Sequence, residues 1–442
     1  MTITVPPVLP AADVHGTLAK HLLVDGFDLV LDLEASSGSR LVDARDGSTY
    51  LDLFTFFASS ALGMNAPALV EDEEFRRDLL TAAMNKPSNS DIYSVAMARF
   101  VATFARVLGD PALPHLFFVE GGALAVENAL KVAFDWKSRW NEAHGLDPAL
   151  GTKVLHLEHA FHGRSGYTLS LTNTDPVKVA RFPKFDWPRI PSPYLAPGID
   201  VEVAEQATLA AARTAFEQHP HDIACFVMEP IQGEGGDHHF RPEFLQAMQA
   251  LCHEHDALFV LDEVQTGCGL TGTAWAYQQL GVQPDVVAFG KKTQVCGLMA
   301  GGRVDEVPDN VFAVGSRINS TWGGSLTDMV RSRRILEVIE SEGLIARAAL
   351  AGDQLRLLLD DVASRHAGVT DVRGRGLMCA FSLPDGATRD RVITALREDE
   401  RVLLLGCGRR SIRFRPALTV TPADLALGVE ALDRVLSKEF SS

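Results

Sequence analysis

Asp262 and Lys291 each follow a short apolar run, residues 258–261 and 286–289, and stand 29 positions apart (262 to 291). A lysine amine can form an imine with an aldehyde. A carboxylate set against a ring nitrogen keeps that ring protonated. Those are the two groups a pyridoxal cofactor needs, one to hold it and one to preserve it as an electron sink. Taken singly, Asp262 reads as well as a helix cap or half of a buried ion pair, and Lys291 as a solvated loop lysine. Taken jointly, at the ends of two apolar runs, they point to catalysis. Lys292 is the adjacent rival for the imine; Lys291 is preferred because it follows Gly290 directly.

Other apolar runs also end in polar residues. Glu120-Gly121-Gly122-Ala123 follow the run 116–119 and open a stretch with helical spacing. Backbone amides at a helix start bind anions, and small residues let a phosphate approach closely. The segment is therefore a candidate phosphate cup, although a plain strand-to-helix turn is the simpler reading. Glu229-Pro230 follow the run 223–228. Acids and a lysine at such positions are expensive to bury without a function.

Three other patterns carry less weight. Gly267-Cys268-Gly269-Leu270-Thr271-Gly272 matches the dinucleotide fingerprint, with Asp285 at a suitable distance, but a lone match is weak and no strong helix opens from its last glycine. Cys252-His253-Glu254-His255 resembles metal chemistry, yet residues two apart on a helix do not share a face. His159 and His162 lack a matching acid ligand, and no Gly-Lys-Ser/Thr phosphate loop is present.

The elements that must position these residues follow from hydrophobic periodicity. Apolar runs at 116–119, 154–157, 223–228, 258–261 and 286–289 alternate with helical stretches at 122–140, 203–218 and 242–255. Continuous apolar strands between amphipathic helices indicate an α/β fold with a mostly parallel sheet covered on both faces. Ligands bind at the carboxyl ends of such strands, where the acids and the lysine stand. From about residue 328 the pattern changes to long helices (329–340, 344–364, 423–436) around short strands (376–382, 411–414). Strand pairs near Leu41 and at 50–54 suggest that the first segment joins this later part. The expected division is a large cofactor-binding domain over 76–327 and a smaller α+β domain formed by 1–75 with 328–442. A chain of 442 residues with 46% hydrophobic content has core enough for both.

A formal net charge of −16 argues against nucleic-acid binding through a general basic surface, so an anionic substrate would need local arginines. Residues 1–16 lack the basic-then-apolar pattern of a signal peptide, and no run reaches the length of a membrane span. The six cysteines are scattered, with no C-x-x-C pair. They read as free thiols of a reducing compartment, and the expected location is the cytoplasm, away from membranes.

At this point the residues carry a resemblance. Phe161-His162-Gly163-Arg164, Glu229-Pro230 with Gly233, Asp262-Glu263-Val264-Gln265-Thr266-Gly267 and Gly290-Lys291 together resemble the class III (fold type I) pyridoxal-phosphate-dependent aminotransferases. The likeness covers most of the chain. It is strongest to members that act on the ε-amino group of L-lysine, through residues 54–65, 85–99, 161–173 and 290–297. The resemblance implies that Lys291 carries pyridoxal 5'-phosphate and that Asp262 pairs with its ring nitrogen. Phe161 and Val264 would cover the two ring faces, and Gln265 would reach the phenolic oxygen. Gly122 and Ala123 would hold the phosphate through their amides. Thr321 would bind that phosphate from a partner subunit, which implies a homodimer with active sites at the interface. Many relatives carry a serine at the place of Ala123 and a more glycine-rich loop after the lysine. The spacing of Lys291 from Asp262 resembles that of ornithine-type relatives.

The same resemblance implies how one pocket serves two substrates. Arginine forks bind carboxylates in two parallel hydrogen bonds. Arg413 would take the α-carboxylate of L-glutamate, with Arg415 as its local competitor, and Arg164 the distal carboxylate of 2-oxoglutarate. L-lysine would bind with its α-carboxylate on Arg164 and its ε-amine at the cofactor, leaving Arg413 unpaired, which is costly. Glu234, among flanking glycines, resembles a switch residue that covers Arg413 in that half-reaction and swings aside in the other. The expected activity is transfer of the ε-amino group of lysine to 2-oxoglutarate, giving L-2-aminoadipate 6-semialdehyde and L-glutamate by ping-pong exchange. A 4-aminobutyrate or ornithine aminotransferase is the alternative within the family, and a non-catalytic amino-acid sensor the alternative outside it.

Overall fold

The computed structural model describes residues 9–441; the start of the N-terminal stretch read above, residues 1–8, and Ser442 lie outside them. Three strands, β1 (Leu31–Ser37), β2 (Arg40–Asp43) and β3 (Thr49–Asp52), form an antiparallel meander near the N-terminus. The central sheet then takes β4 (His115–Val119), β5 (Lys153–Leu157), β6 (Arg189–Ile190) and β7 (Ile223–Met228). After a short hairpin, β8 (Ile231–Gln232) with β9 (His238–His239), it adds β10 (Leu258–Asp262), β11 (Val286–Phe289) and β12 (Cys296–Ala300). Its order is β4-β12-β11-β10-β7-β5-β6.

The α/β expectation holds. The pairs β11–β10, β10–β7, β7–β5 and β5–β6 are parallel; β12 alone runs antiparallel, between β11 and β4. Sequence reading missed β12 because Gly297 interrupts its apolar run. The structure explains that glycine: a Cβ there would collide with the Phe117 carbonyl of β4 and lie 2.9 Å from the Phe289 ring.

Alternation along the strands divides the core into two layers. Ala224, Val227, Val260, Val286 and Ala288 pack with Val126, Ala129 and Trp136 of the helix Gly122–Ala143. Phe226, Met228, Phe259, Leu261, Val287 and Phe289 face the other way, with Phe100 and Phe104 of the helix Val95–Val107 and Phe244 and Met248 of the helix Pro242–Glu254. Strands buried on both faces need apolar residues at every position, which is why they read as unbroken runs.

The last part of the chain forms β13 (Thr370–Arg375), β14 (Met378–Ser382), β15 (Val402–Leu403), β16 (Leu405–Cys407) and β17 (Ser411–Phe414). The sheet β13-β14-β17-β16 is antiparallel, whereas β15 leaves it to pair in parallel with β3, Val402 against Leu51. The N-terminal meander thus completes its sheet with a C-terminal strand. Among the described residues no helix is long and apolar enough to cross a membrane. The glycine segment 267–272 forms turns that lead only to the short 3-10 helix Ala276–Gln279, so it lacks the α-helix that a dinucleotide site requires.

Candidate active site

Parallel pairing gathers the polar strand ends at one edge of the sheet. Asp262 ends β10 in register with Ala288 of β11, so Lys291 emerges beside it. Leu261 pairs with Met228 of β7, which puts Glu229 on Asp262's other side. Because β12 is antiparallel, its first residue, Cys296, lies against Val119, the last residue of β4, and brings the Gly121–Ala123 turn to the same edge. A cavity of about 1120 Å³ opens there; Gly122, Ala123, Phe161, Asp262, Lys291 and Glu234 are among the residues lining it, with Val264 and Gln265.

The helix Gly122–Ala143 starts unlike its neighbours. Asp72, Ser94, Asp200 and Ser325 cap their own helices with side-chain oxygens, but Gly121 offers none. Gly121 has φ 106°, which favours glycine. A Cβ on Gly122 would come within 2.9 Å of Val264 Cγ1. The first amides of this helix therefore face the cavity edge free of a side-chain cap, on a backbone that nothing bulky screens.

Asp262 is almost fully buried and accepts a hydrogen bond from the Val264 amide at 3.0 Å. His162 Nδ1 lies 2.8 Å from its other oxygen. Burial opposes a charge on His162, but the bond to Asp262 and that group's charge prevail and raise the imidazole pKa. Glu229 is spent on the backbone, its two oxygens accepting the amides of Phe161 and Gly233, both at 3.0 Å. Burial pushes its carboxyl up to about 7. Glu263 serves the fold: it accepts the Ala276 and Tyr277 amides and the Thr266 hydroxyl.

The two neighbouring lysines part company in space. Lys291 lines the cavity and donates to the Phe57 carbonyl at 3.2 Å. Lys292 is fully buried, donates to the Ala58 carbonyl at 2.7 Å and does not line the cavity. Burial lowers both, Lys291 to about 8 with help from Arg413 and Arg415, and Lys292 to about 7. Titration alone would favour Lys292; of the two, only Lys291 has access to the cavity. Lys291 has φ 55°, a left-handed conformation, at the start of the 3-10 turn Lys291–Thr293 that follows β11.

The carbonyls that receive these lysines belong to an unusual turn. Thr55, Phe56, Phe57 and Ala58 all adopt left-handed backbone, with φ from 42° to 69°. Such residues cost about 1–2 kcal/mol each. Asp52 restrains the turn by accepting the Phe54 and Thr55 amides, and Thr55 donates to the Arg415 carbonyl at 2.6 Å. No sequence signal short of the family resemblance marks this turn.

The two arginines of β17 and its exit are both buried but differently used. Arg415 pairs in a fork with the buried Asp237 and donates through Nε to Gln265 Oε1 at 3.0 Å. Arg413 donates through Nη2 to Glu234 Oε2 at 2.7 Å, while its Nε and Nη1 are buried with no partner. Glu234 Oε1 accepts from Lys178 Nζ at 2.5 Å. Burial works against the Glu234 anion, yet Arg413 and Lys178 outweigh it and hold the carboxyl below its usual range. A Cβ on Gly233 would collide with the Gln265 amide and one on Gly235 with the His159 carbonyl, so close packing accounts for both glycines.

Arg164 and Thr321 are exposed and lie outside the cavity lining, and the buried Arg413 does not line it either, reaching it only through Glu234. Sequence reading passed over Lys178 and Asp237, and gave His162 no role beside Asp262.

The chain matches the model of the family described as aminotransferase class-III over residues 25–436. It is 69% identical over 427 residues to the L-lysine-epsilon aminotransferase of Mycobacterium tuberculosis (strain ATCC 25618 / H37Rv), covering 96% of this chain and 95% of that protein. It is 61% identical over 436 residues to the L-lysine-epsilon aminotransferase of Amycolatopsis lactamdurans, covering 97% and 96%. The solved structure of the lysine aminotransferase from M. tuberculosis in the internal aldimine form superposes with a TM-score of 0.97 at 67% identity, over 98% of this chain and 100% of that one.

Proposed function

This chain belongs to the class-III aminotransferases, enzymes dependent on pyridoxal phosphate, and from that premise we propose that it transfers the ε-amino group of L-lysine to 2-oxoglutarate. The products are then L-2-aminoadipate 6-semialdehyde and L-glutamate. Lysine as donor rests on the similarity to relatives named for it. The observation that carries the two-substrate reading is Arg413, a buried guanidinium with one arm on Glu234 and two N–H groups without partners. Such a cation suits a carboxylate that arrives for one half of the cycle and is absent for the other.

The residues present fit pyridoxal phosphate. The uncapped amides at Gly122 and Ala123 suit its phosphate, and the close contact a Cβ on Gly122 would make with Val264 accounts for a glycine there. When bound, the cofactor supplies an aldehyde carbon and an electron-poor ring. Phe161 and Val264 would cover that ring, Asp262 would hold its nitrogen as a cation, and Gln265 would donate its amide to the phenolic oxygen. Arg415 supports the last role by occupying the Gln265 carbonyl oxygen, which leaves the NH2 to donate. Thr321 would serve the phosphate of a second copy, making the enzyme a homodimer.

Lys291 would hold the cofactor, and once displaced by the substrate amine its Nζ would take the proton from the substrate's reacting carbon. Its lowered pKa supports that work, since a neutral amine is present near neutral pH. Glu234 would stay on Arg413 while lysine is bound, with the lysine α-carboxylate on Arg164. For 2-oxoglutarate it would leave, and Arg413 and Arg164 would hold the two carboxylates. Purified enzyme offered lysine, ornithine and 4-aminobutyrate, each with 2-oxoglutarate, tests the proposal through glutamate formed. Lysine should be used best; preference for either of the others would overturn the substrate assignment.

A further inference from the structure

Glu234 stands in the wall between two cavities. The first is the one described above; the second, of about 1220 Å³, lies behind it and is lined by Lys178, His159, Tyr194, Arg373 and Arg409 among others. Glu234 therefore has space on the side away from Lys291. Space is not enough, because a carboxylate that leaves a buried guanidinium must find another partner or bear its own desolvation. Lys178 Nζ already holds the oxygen that Arg413 does not, at 2.5 Å. It sits in the short helix Pro176–Val179, whose start Asp175 caps, and its ammonium lies 5.5 Å from the centre of the Phe161 ring. Its side chain is 25% exposed, against 2% for Arg413. The two cations are thus unequal: one buried and needed by substrate, the other at the edge of the second cavity.

We propose that Lys178 is a positioning residue that keeps the Glu234 carboxylate paired when a dicarboxylate takes Arg413. The inference rests on the switch reading of Glu234 and adds the partner without which the switch would be held shut. It fixes a sign. Without Lys178, the Glu234 anion loses its alternative partner and stays on Arg413. Dicarboxylates must then displace it at full cost, while lysine, whose half-reaction keeps Glu234 on Arg413, is not penalised. Loss of Lys178 and loss of Glu234 therefore act in opposite directions on the same ligand.

The test compares cofactor-loaded wild-type enzyme with Lys178→Met, Lys178→Arg, Glu234→Ala and the Lys178→Met/Glu234→Ala double variant. The probe is glutarate, a five-carbon dicarboxylate without a keto group, its binding measured by calorimetry. Lys178→Met should weaken glutarate about tenfold, the loss of one charge-assisted hydrogen bond. It should raise KM for 2-oxoglutarate by more than it changes the lysine half-reaction. Lys178→Arg should restore affinity. In the Glu234→Ala background, Lys178→Met should have no effect, because Lys178 acts only through that carboxylate. An equal weakening with and without Glu234 would overturn the proposal, as it would mean that Lys178 touches the ligand itself. Unchanged glutarate affinity in Lys178→Met would also overturn it, while tighter binding in Glu234→Ala would leave the switch standing. If Glu234→Ala leaves glutarate affinity unaltered, the switch reading fails first. Should Lys178→Met lose the cofactor band through its contact with Phe161, acetyl-lysine placed at position 178, which keeps the whole aliphatic stem and removes the charge, reports the same comparisons.

Discussion

Removing the Glu234 carboxylate leaves the Arg413 cation buried with no hydrogen-bond partner on any of its three nitrogens. Breaking a buried ion pair by deleting one partner costs about 3–5 kcal/mol. Glu234 is 26% exposed, so part of its charge is already screened by water and the cost is discounted below that range, to about 2–3 kcal/mol. For a chain of 442 residues, that corresponds to a fall in Tm of about 2–3 °C. The loss should be reversible in a specific way. A dicarboxylate puts its own carboxylate where Glu234 was, and at one hundred times its Kd it returns about 2.7 kcal/mol. Scanning calorimetry of Glu234→Ala with and without glutarate reads both quantities. Glutarate should be bound more tightly by the variant than by wild type, which must first displace Glu234. Rapid absorbance kinetics then separate the half-reactions: lysine slows, because its aliphatic chain lies against an uncompensated cation, while glutamate is spared or improved. If both half-reactions fall by the same factor, or if glutarate stabilises variant and wild type equally, Glu234 is a structural residue and the reasoning is wrong.

Three further outcomes follow from the site. Lys291→Ala should abolish covalent attachment of the cofactor, read by borohydride reduction and peptide mapping of wild type and variant; label on Lys292 would reverse the assignment made from cavity access. Because burial, then Arg413 and Arg415, lower Lys291 to about 8, cofactor capture by the apoprotein should rise with pH and level off above about 8. The sign follows from the amine being nucleophilic only when deprotonated, and a rate still climbing beyond pH 10 would contradict it. Arg415→Met strands the fully buried Asp237 and should destabilise the protein by about 3–5 kcal/mol in chemical denaturation, with Arg415→Met/Asp237→Leu recovering part of the loss. An unchanged midpoint in the single variant would show that the pair does not hold this part of the fold.

The sheet was legible because burial on both faces forces apolar residues at consecutive positions, and the chain has no cheaper way to meet that demand. The same logic exposed Asp262 and Lys291, since a charge at the end of such a run must be useful or be selected against on cost. It failed at β12, where close approach to Phe117 demands a glycine and breaks the pattern that strands are recognised by. It failed as well for the left-handed turn at 55–58, whose restraint comes from Asp52, from the Arg415 carbonyl and from the two lysines it receives. Those partners are hundreds of positions away, except Asp52, and local propensity carries no trace of them.

The choice between Arg413 and Arg415 illustrates the limit most sharply. Two residues apart at the end of a strand, they would share a face by strand alternation, and periodicity cannot separate them. Composition cannot either, because both are arginines in an apolar context. What separates them is supplied from elsewhere in the chain. The turn Gly233–Gly236 carries one acid, Glu234, within it and a second, Asp237, at its exit. Asp237 is completely buried and engages Arg415 in a two-armed pair, so that arginine has little left to offer a ligand. Glu234 is partly exposed, shares itself with Lys178, and engages Arg413 through a single arm. A fork answered by a fork is a structural bond; a fork answered by one oxygen leaves two N–H groups over, and the proposed carboxylate site rests on them. The distinction lies in the pairing and not in the arginine, which is why it becomes visible only once the turn has been folded against β17.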